Sequence, residues 1–186
     1  MEIEVGAEAK DRRLNRLVAV TVVLLSVFMA VCNIKDGNIV QAMQQAQSSA
    51  VDRWGEYQAT KTKAHIVRTA QFELAAAGTP GNPAAVAAQR AFAQESAHYA
   101  AEAPLLARQA QDFSRQYDAL NVHDDQFDAS EALVSTAVSL SAVAALTEAF
   151  LPLAFAWAIG AMGVGMGLCG FTASTFDPTA LSHFLG

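Results

Sequence analysis

Charge is scarce in this chain. Asp, Glu, Lys and Arg make up 16% of its 186 residues, where a water-soluble domain carries about a quarter. The net charge is −6 and no basic stripe is present, which excludes a nucleic-acid surface. Cysteine is nearly absent, with Cys32 and Cys169 the only two. Both fall in or beside apolar runs, so no disulfide framework and no C-x-x-C metal spacing is expected, and each reads as a small buried hydrophobe. There is no nucleophile elbow, no glycine loop to cradle a phosphate and no H-E-x-x-H. No strand pattern and no internal repeat occurs. These absences predict a protein that is not an enzyme and that carries no cofactor and no metal.

What the chain has in excess is apolar side chain, 53% of all residues. Three runs stand out: Leu17–Cys32, Leu133–Leu146 with the residues around it, and Leu153–Phe171. A segment in lipid must satisfy its own backbone hydrogen bonds, so each run predicts a helix that crosses the membrane. The fold class expected is therefore an all-α membrane protein with three transmembrane helices. The predicted layout is an N-terminal tail at 1–16, span one at 17–35, an extramembrane helical hairpin at 36–129, span two at 130–148, span three at 152–173 and a tail at 174–186.

Lys10, Arg12, Arg13 and Arg16 precede the first span and only Lys35 follows it closely, which predicts a cytoplasmic N-terminus. The turn between spans two and three carries Glu148 and no Lys or Arg, so the orientation rests on the N-terminal cluster. Glu2, Glu4 and Glu8 and a poor cleavage context argue for an uncleaved anchor over a signal peptide. Val31, just before Cys32, is too bulky for a lipoprotein cleavage box. Pro152 suits the first turn of span three, where the missing N–H is harmless.

Small residues recur at helical spacing in span three: Ala156, Gly160, Gly163, Gly167, Gly170 and Ser174. In span two Ser135, Ser139, Ala142 and Ala145 do the same. Close backbone approach is the main attraction between helices in lipid, so these faces predict a tight hairpin of spans two and three or a surface for another subunit. No charged residue lies in mid-span, which argues against a pump or proton-coupled transporter.

Between spans one and two, Ile39, Met43, Ala46, Ala50, Trp54, Tyr57, Ala64 and Phe72 form a stripe interrupted by Lys61, predicting one helix over 39–77. Gly78-Thr79-Pro80-Gly81-Asn82-Pro83 is a stop and turn. A second helix follows from about Pro83, and Pro104 is expected to kink or split it. Arms of about 40 residues would stand roughly 50–60 Å tall. His123, Asp124, Asp125, Asp128 and Glu131 form the densest polar cluster. They could hold a divalent cation through Asp125 and Asp128, but Asp128 as N-cap with Glu131 three residues on reads first as the start of a helix. His98 between Glu95 and Glu102 reads as a surface network, and His65 has no acidic partner nearby. The tail from Asp177 to Phe184 reads as a short interfacial helix, with Leu181 and Phe184 toward lipid.

The layout, together with Trp54, Tyr57, Gln58, Ala59 and Lys61 on the first arm and Phe127, Asp128 and Glu131 before span two, resembles the bacterial membrane proteins of the domain-of-unknown-function 4337 family. The resemblance runs from about Arg12 to Phe171. It implies a bacterial inner-membrane location, hence a periplasmic hairpin, and no activity. The function expected is a scaffold, self-assembly or docking element, with Trp54, Tyr57 and Lys61 as interaction residues. The alternatives are an accessory subunit of a respiratory or other energy-transducing complex held by the glycine face, and a small oligomeric channel lined by Ser135, Ser139 and Ser141. The partners expected are the lipid bilayer and either further copies of the chain or the subunits of a membrane complex.

Overall fold

The computed structural model describes residues 2–78 and 82–172, with side chains described from residue 12 onward. The described residues are almost entirely helical, without strands: α1 is Glu2–Ala76, α2 is Pro83–Thr147 and α3 is Phe150–Phe171. All three are long and apolar enough to cross a membrane. The tail expected to form an interfacial helix, Ser174 included, lies outside the described residues.

The helix ends follow local chemistry. Gly78 adopts a positive φ of 55° just past the end of α1, a conformation open to glycine without penalty. The Asn82 side-chain Oδ1 accepts the Ala84 N–H at 3.0 Å, which caps α2, and Pro83 occupies its first position. Only Glu148 and Ala149 separate α2 from α3. Glu148 makes the reversal in the left-handed region, at φ 52°, and Pro152 lies in the first turn of α3 as expected.

Three expected breaks do not occur. The first span and the first hairpin arm are one continuous helix, because Lys35-Asp36-Gly37-Asn38 contains no proline and one glycine costs only about 1 kcal/mol. Pro104 does not split α2; Ala103 just before it and Leu106 two residues on are both buried. Asp128 is not an N-cap, since α2 runs through it from Pro83 to Thr147 with no glycine and no further proline.

The chain divides into two compact units, Met1–Ala42 with Ala119–Gly186, and Met43–Asp118. The first is a three-helix bundle. Leu14 and Val18 of α1, Ala144 of α2 and Leu153 of α3 form its core cluster, with Val22 and Ala145 against it. Its outer surface is apolar: Val20, Val23, Leu24, Val27 and Val31 on α1 and Phe155 and Met162 on α3 are exposed. The second unit is an antiparallel hairpin. Met43, Ala46, Ala50, Thr60 and Val67 are buried on its first arm, and Ala103, Leu106 and Ala110 on its second. Their steps of three, four, seven and ten keep the 3.5-residue period of a coiled-coil seam.

Candidate functional site

The glycine face of α3 is packed within the chain. Ala156, Gly160, Gly163, Gly167 and Gly170 are all buried. A Cβ built on Gly160 would meet the Ala137 Cβ and Leu25 Cδ1 at 3.3 Å, and one on Gly163 would meet the Val134 Cγ2 at 2.9 Å and its backbone N at 3.1 Å. On Gly167 it would meet the Phe28 Cζ at 2.7 Å and the Ser130 Oγ at 2.8 Å, and on Gly170 the Phe127 Cζ at 2.8 Å. The buried Ser130 hydroxyl donates to the Gly163 carbonyl at 2.8 Å, tying α2 to α3. Trp157 Nε1–H donates to the Thr21 Oγ1 at 2.9 Å, tying α3 to α1. The face expected either to pair α3 with α2 or to bind another subunit is filled by this chain itself, by α2 and also by Leu25 and Phe28 of α1.

On α2 the packed stripe differs from the one expected. Ser139 and Ala142 are exposed, and so is Ser135, whose hydroxyl reaches Met29 Sδ at 3.6 Å. The residues that meet the glycines are Phe127, Ser130, Val134 and Ala137, and the stripe continues through the buried Ser141 and Ala144. The reason is complementarity: glycines leave hollows, and a hollow is filled by a larger side chain such as Val134, not by a second small residue. The Ser139 and Ser141 hydroxyls donate to the carbonyls of Ser135 and Ala137 in their own helix.

The acidic cluster includes a member that sequence spacing did not suggest, Asp36 of α1. Its carboxyl shares a hydrogen bond with Asp124 and is pushed up to about 6, first by burial and then by the charges of Asp124, Asp128 and Glu131. Burial also raises Asp128, helped by Asp124, Asp125 and Glu131. Asp36 Oδ1 and His123 Nδ1 are both buried without a hydrogen-bond partner. Asp125 accepts from the Asn121 side-chain amide at 3.3 Å. Among the described residues no three His, Cys, Asp or Glu side chains are placed to hold a metal ion, so Asp125 and Asp128 are not gathered into a cation site. The acidic residue just past an apolar run, on a helix that continues, was the signal available for Asp36.

In the hairpin, Trp54 and Tyr57 pack edge to face with ring centroids 5.5 Å apart. Trp54 stays 36% exposed, Tyr57 is half-buried and Lys61 is exposed. Tyr57 and Lys61 open a groove of about 580 Å³ that continues past His65 and Arg68 on α1 and Tyr99 and Pro104 on α2. Its floor is alanine, including Ala64, Ala100 and Ala107. His65, expected to lack an acidic neighbour, thus lines the groove, whereas His98 lies with Nε2 3.7 Å from Glu102.

A protein-family model described as Domain of unknown function (DUF4337) matches residues 14–173. No curated protein and no solved structure matches the chain.

Proposed function

The chain belongs to the family defined by the domain of unknown function DUF4337, and from that premise we propose that it is a non-enzymatic protein of the bacterial inner membrane whose hairpin serves assembly. The three apolar helix segments cross the bilayer, the N-terminus lies in the cytoplasm and the hairpin lies in the periplasm. The orientation follows from Arg12, Arg13 and Arg16 before the first span.

The observation that carries the reading is the incomplete cover of the hairpin. Two helices alone leave apolar side chains uncovered: Val51, Trp54, Ile66, Phe72, Val86 and Leu105 of the hairpin are exposed. A two-helix unit of this size buries too little surface to be comfortable alone, and large aromatics concentrate contact energy when a partner covers them. The bundle, by contrast, has its small-residue face already filled by its own side chains, so contact with other chains falls to the hairpin.

Native mass spectrometry of the full chain, extracted gently from its own membrane, tests this. We expect an oligomer of this chain that Trp54→Ala dissociates without loss of helix content or thermal stability. An oligomer that survives Trp54→Ala unchanged overturns the role of this face.

A further inference from the structure

The hairpin groove has one sign of charge. Lys61, His65 and Arg68 follow one another at steps of four and three along one side of α1, and no carboxylate lines the groove. On α2 the groove takes in Ala103 and Pro104. Glu102 lies one helical step, about 100°, to the other side of Ala103, on the flank away from the groove. Glu95 shares that flank one heptad earlier. Both carboxylates accept bonds from neighbours, Glu95 from the Tyr99 hydroxyl at 2.7 Å and Glu102 from Thr60 at 3.5 Å. Each keeps a face in solvent, and the Glu102 side chain is 41% exposed.

The two rows match in spacing. Lys61 and Arg68 are seven residues apart, and so are Glu95 and Glu102. Each pair therefore repeats at about 10.5 Å along its helix. Within one hairpin the charged neighbour of Glu102 is His98, whose Nε2 lies 3.7 Å away, while Arg68 lies over the Phe72 ring at 5.7 Å. Resting on the assembly reading above, we infer that the basic groove of one copy receives the acidic α2 flank of a second copy, with Lys61 and Arg68 pairing with Glu95 and Glu102. The alanine floor lets the incoming helix approach closely. The groove runs along α1 from Tyr57 to Arg68, about 16 Å, which seats roughly three turns of a helix. Opposite flanks cannot both face one partner, so the contact is head-to-tail and closes into a ring or extends, instead of stopping at a dimer.

Charge reversal on the full chain in detergent micelles tests the pairing, read by native mass spectrometry and sedimentation. Lys61→Glu with Arg68→Glu, and separately Glu95→Lys with Glu102→Lys, are each expected to raise the dissociation midpoint about tenfold or more, because like charges then face each other. The four changes together restore opposite charges and are expected to bring the midpoint back near the wild-type value. Far-UV circular dichroism on every variant checks that the exposed positions leave the helices intact. A fourfold variant as dissociated as either double variant overturns the pairing. Double variants that assemble like the wild type, while Trp54→Ala dissociates it, overturn the pairing and leave hairpin assembly standing. A wild-type chain that is monomeric at every concentration overturns both.

Discussion

Gly163 in the bundle and Ala100 in the hairpin are both small residues beside a neighbouring helix, and their surroundings are opposite. A methyl group added at Gly163 would stand 2.9 Å from Val134, whereas Ala100 lines a groove open to solvent. In the bundle the small residue brings two backbones together and the space is then filled by Phe28, Phe127 and Val134. In the hairpin the same economy of volume leaves an open groove. On the membrane reading proposed above, the solvent accounts for the difference. Against lipid, packing is the main attraction between helices, so a gap there forfeits the contact that holds the bundle. In water, the hairpin is held by the burial of Met43, Val67 and Leu106, and an open flank beside that seam is tolerated.

The largest effect that would break this contrast is Gly163→Leu. The nearest atoms include the Val134 backbone N at 3.1 Å, which cannot rotate away as a side-chain tip can. We expect a loss of about 3 kcal/mol or more, seen as a large drop in the thermal or dodecyl-sulfate unfolding midpoint of the purified protein. Ala100→Leu in the groove should leave that midpoint within about 0.5 kcal/mol. Equal losses at the two sites would mean that the groove is as tightly filled as the glycine face.

Asp36→Asn comes next. Burial holds the folded-state pKa of Asp36 at about 6, above its ordinary 3.8. The folded state therefore binds this proton more tightly than the unfolded state does. The stability it contributes is present at low pH and is lost as pH rises from about 4 through about 6. Asp36→Asn should then gain on the order of 1 kcal/mol at pH 7.5, after allowance for the solvent that reaches a half-buried group. It should gain little at pH 4. A stability that falls between pH 4 and 6 equally in the variant would place the titration elsewhere. Ser130→Ala, which removes the hydroxyl donated to Gly163, should lose about 0.6 kcal/mol in the same unfolding measurement, since the carbonyl keeps its helical partner.

The two regions also differ in how much of them was legible in the sequence. The three long apolar helix segments were legible because each is a continuous apolar run, and the hairpin tip was legible because Gly78 and Pro83 act locally. The continuity of α1 through Gly37 and of α2 through Pro104 was not. Those residues weaken a helix locally, and tertiary contacts outweigh them. The row of small residues on α3 was legible, but the side chains that fill it were not. A sequence shows which side chains are small, not which larger one from a distant segment enters the hollow, as Phe28 and Phe127 do. In the hairpin, Trp54, Tyr57 and Lys61 were marked by their place on the stripe of the first arm. The groove beside Tyr57 and Lys61 depends on alanines from the other arm, whose register against α1 no local pattern fixes.

A matched pair of glycine replacements sharpens the comparison most. Gly55 in the hairpin and Gly165 in α3 are both exposed helical glycines with nothing within 4 Å of an added Cβ. Replacing either by alanine adds no clash, so only the backbone preference is measured. In water the unfolded chain gains freedom at glycine, and Gly55→Ala should stabilise its helix by about 1 kcal/mol. Hydrogen exchange of the amides around Gly55 should then slow about fivefold. In lipid the chain has no alternative to the helix, so the reference state is already helical and Gly165→Ala should change local exchange by less than about twofold. A fivefold slowing at both sites would mean that α3 folds against water, and the membrane reading of the bundle would fall with it.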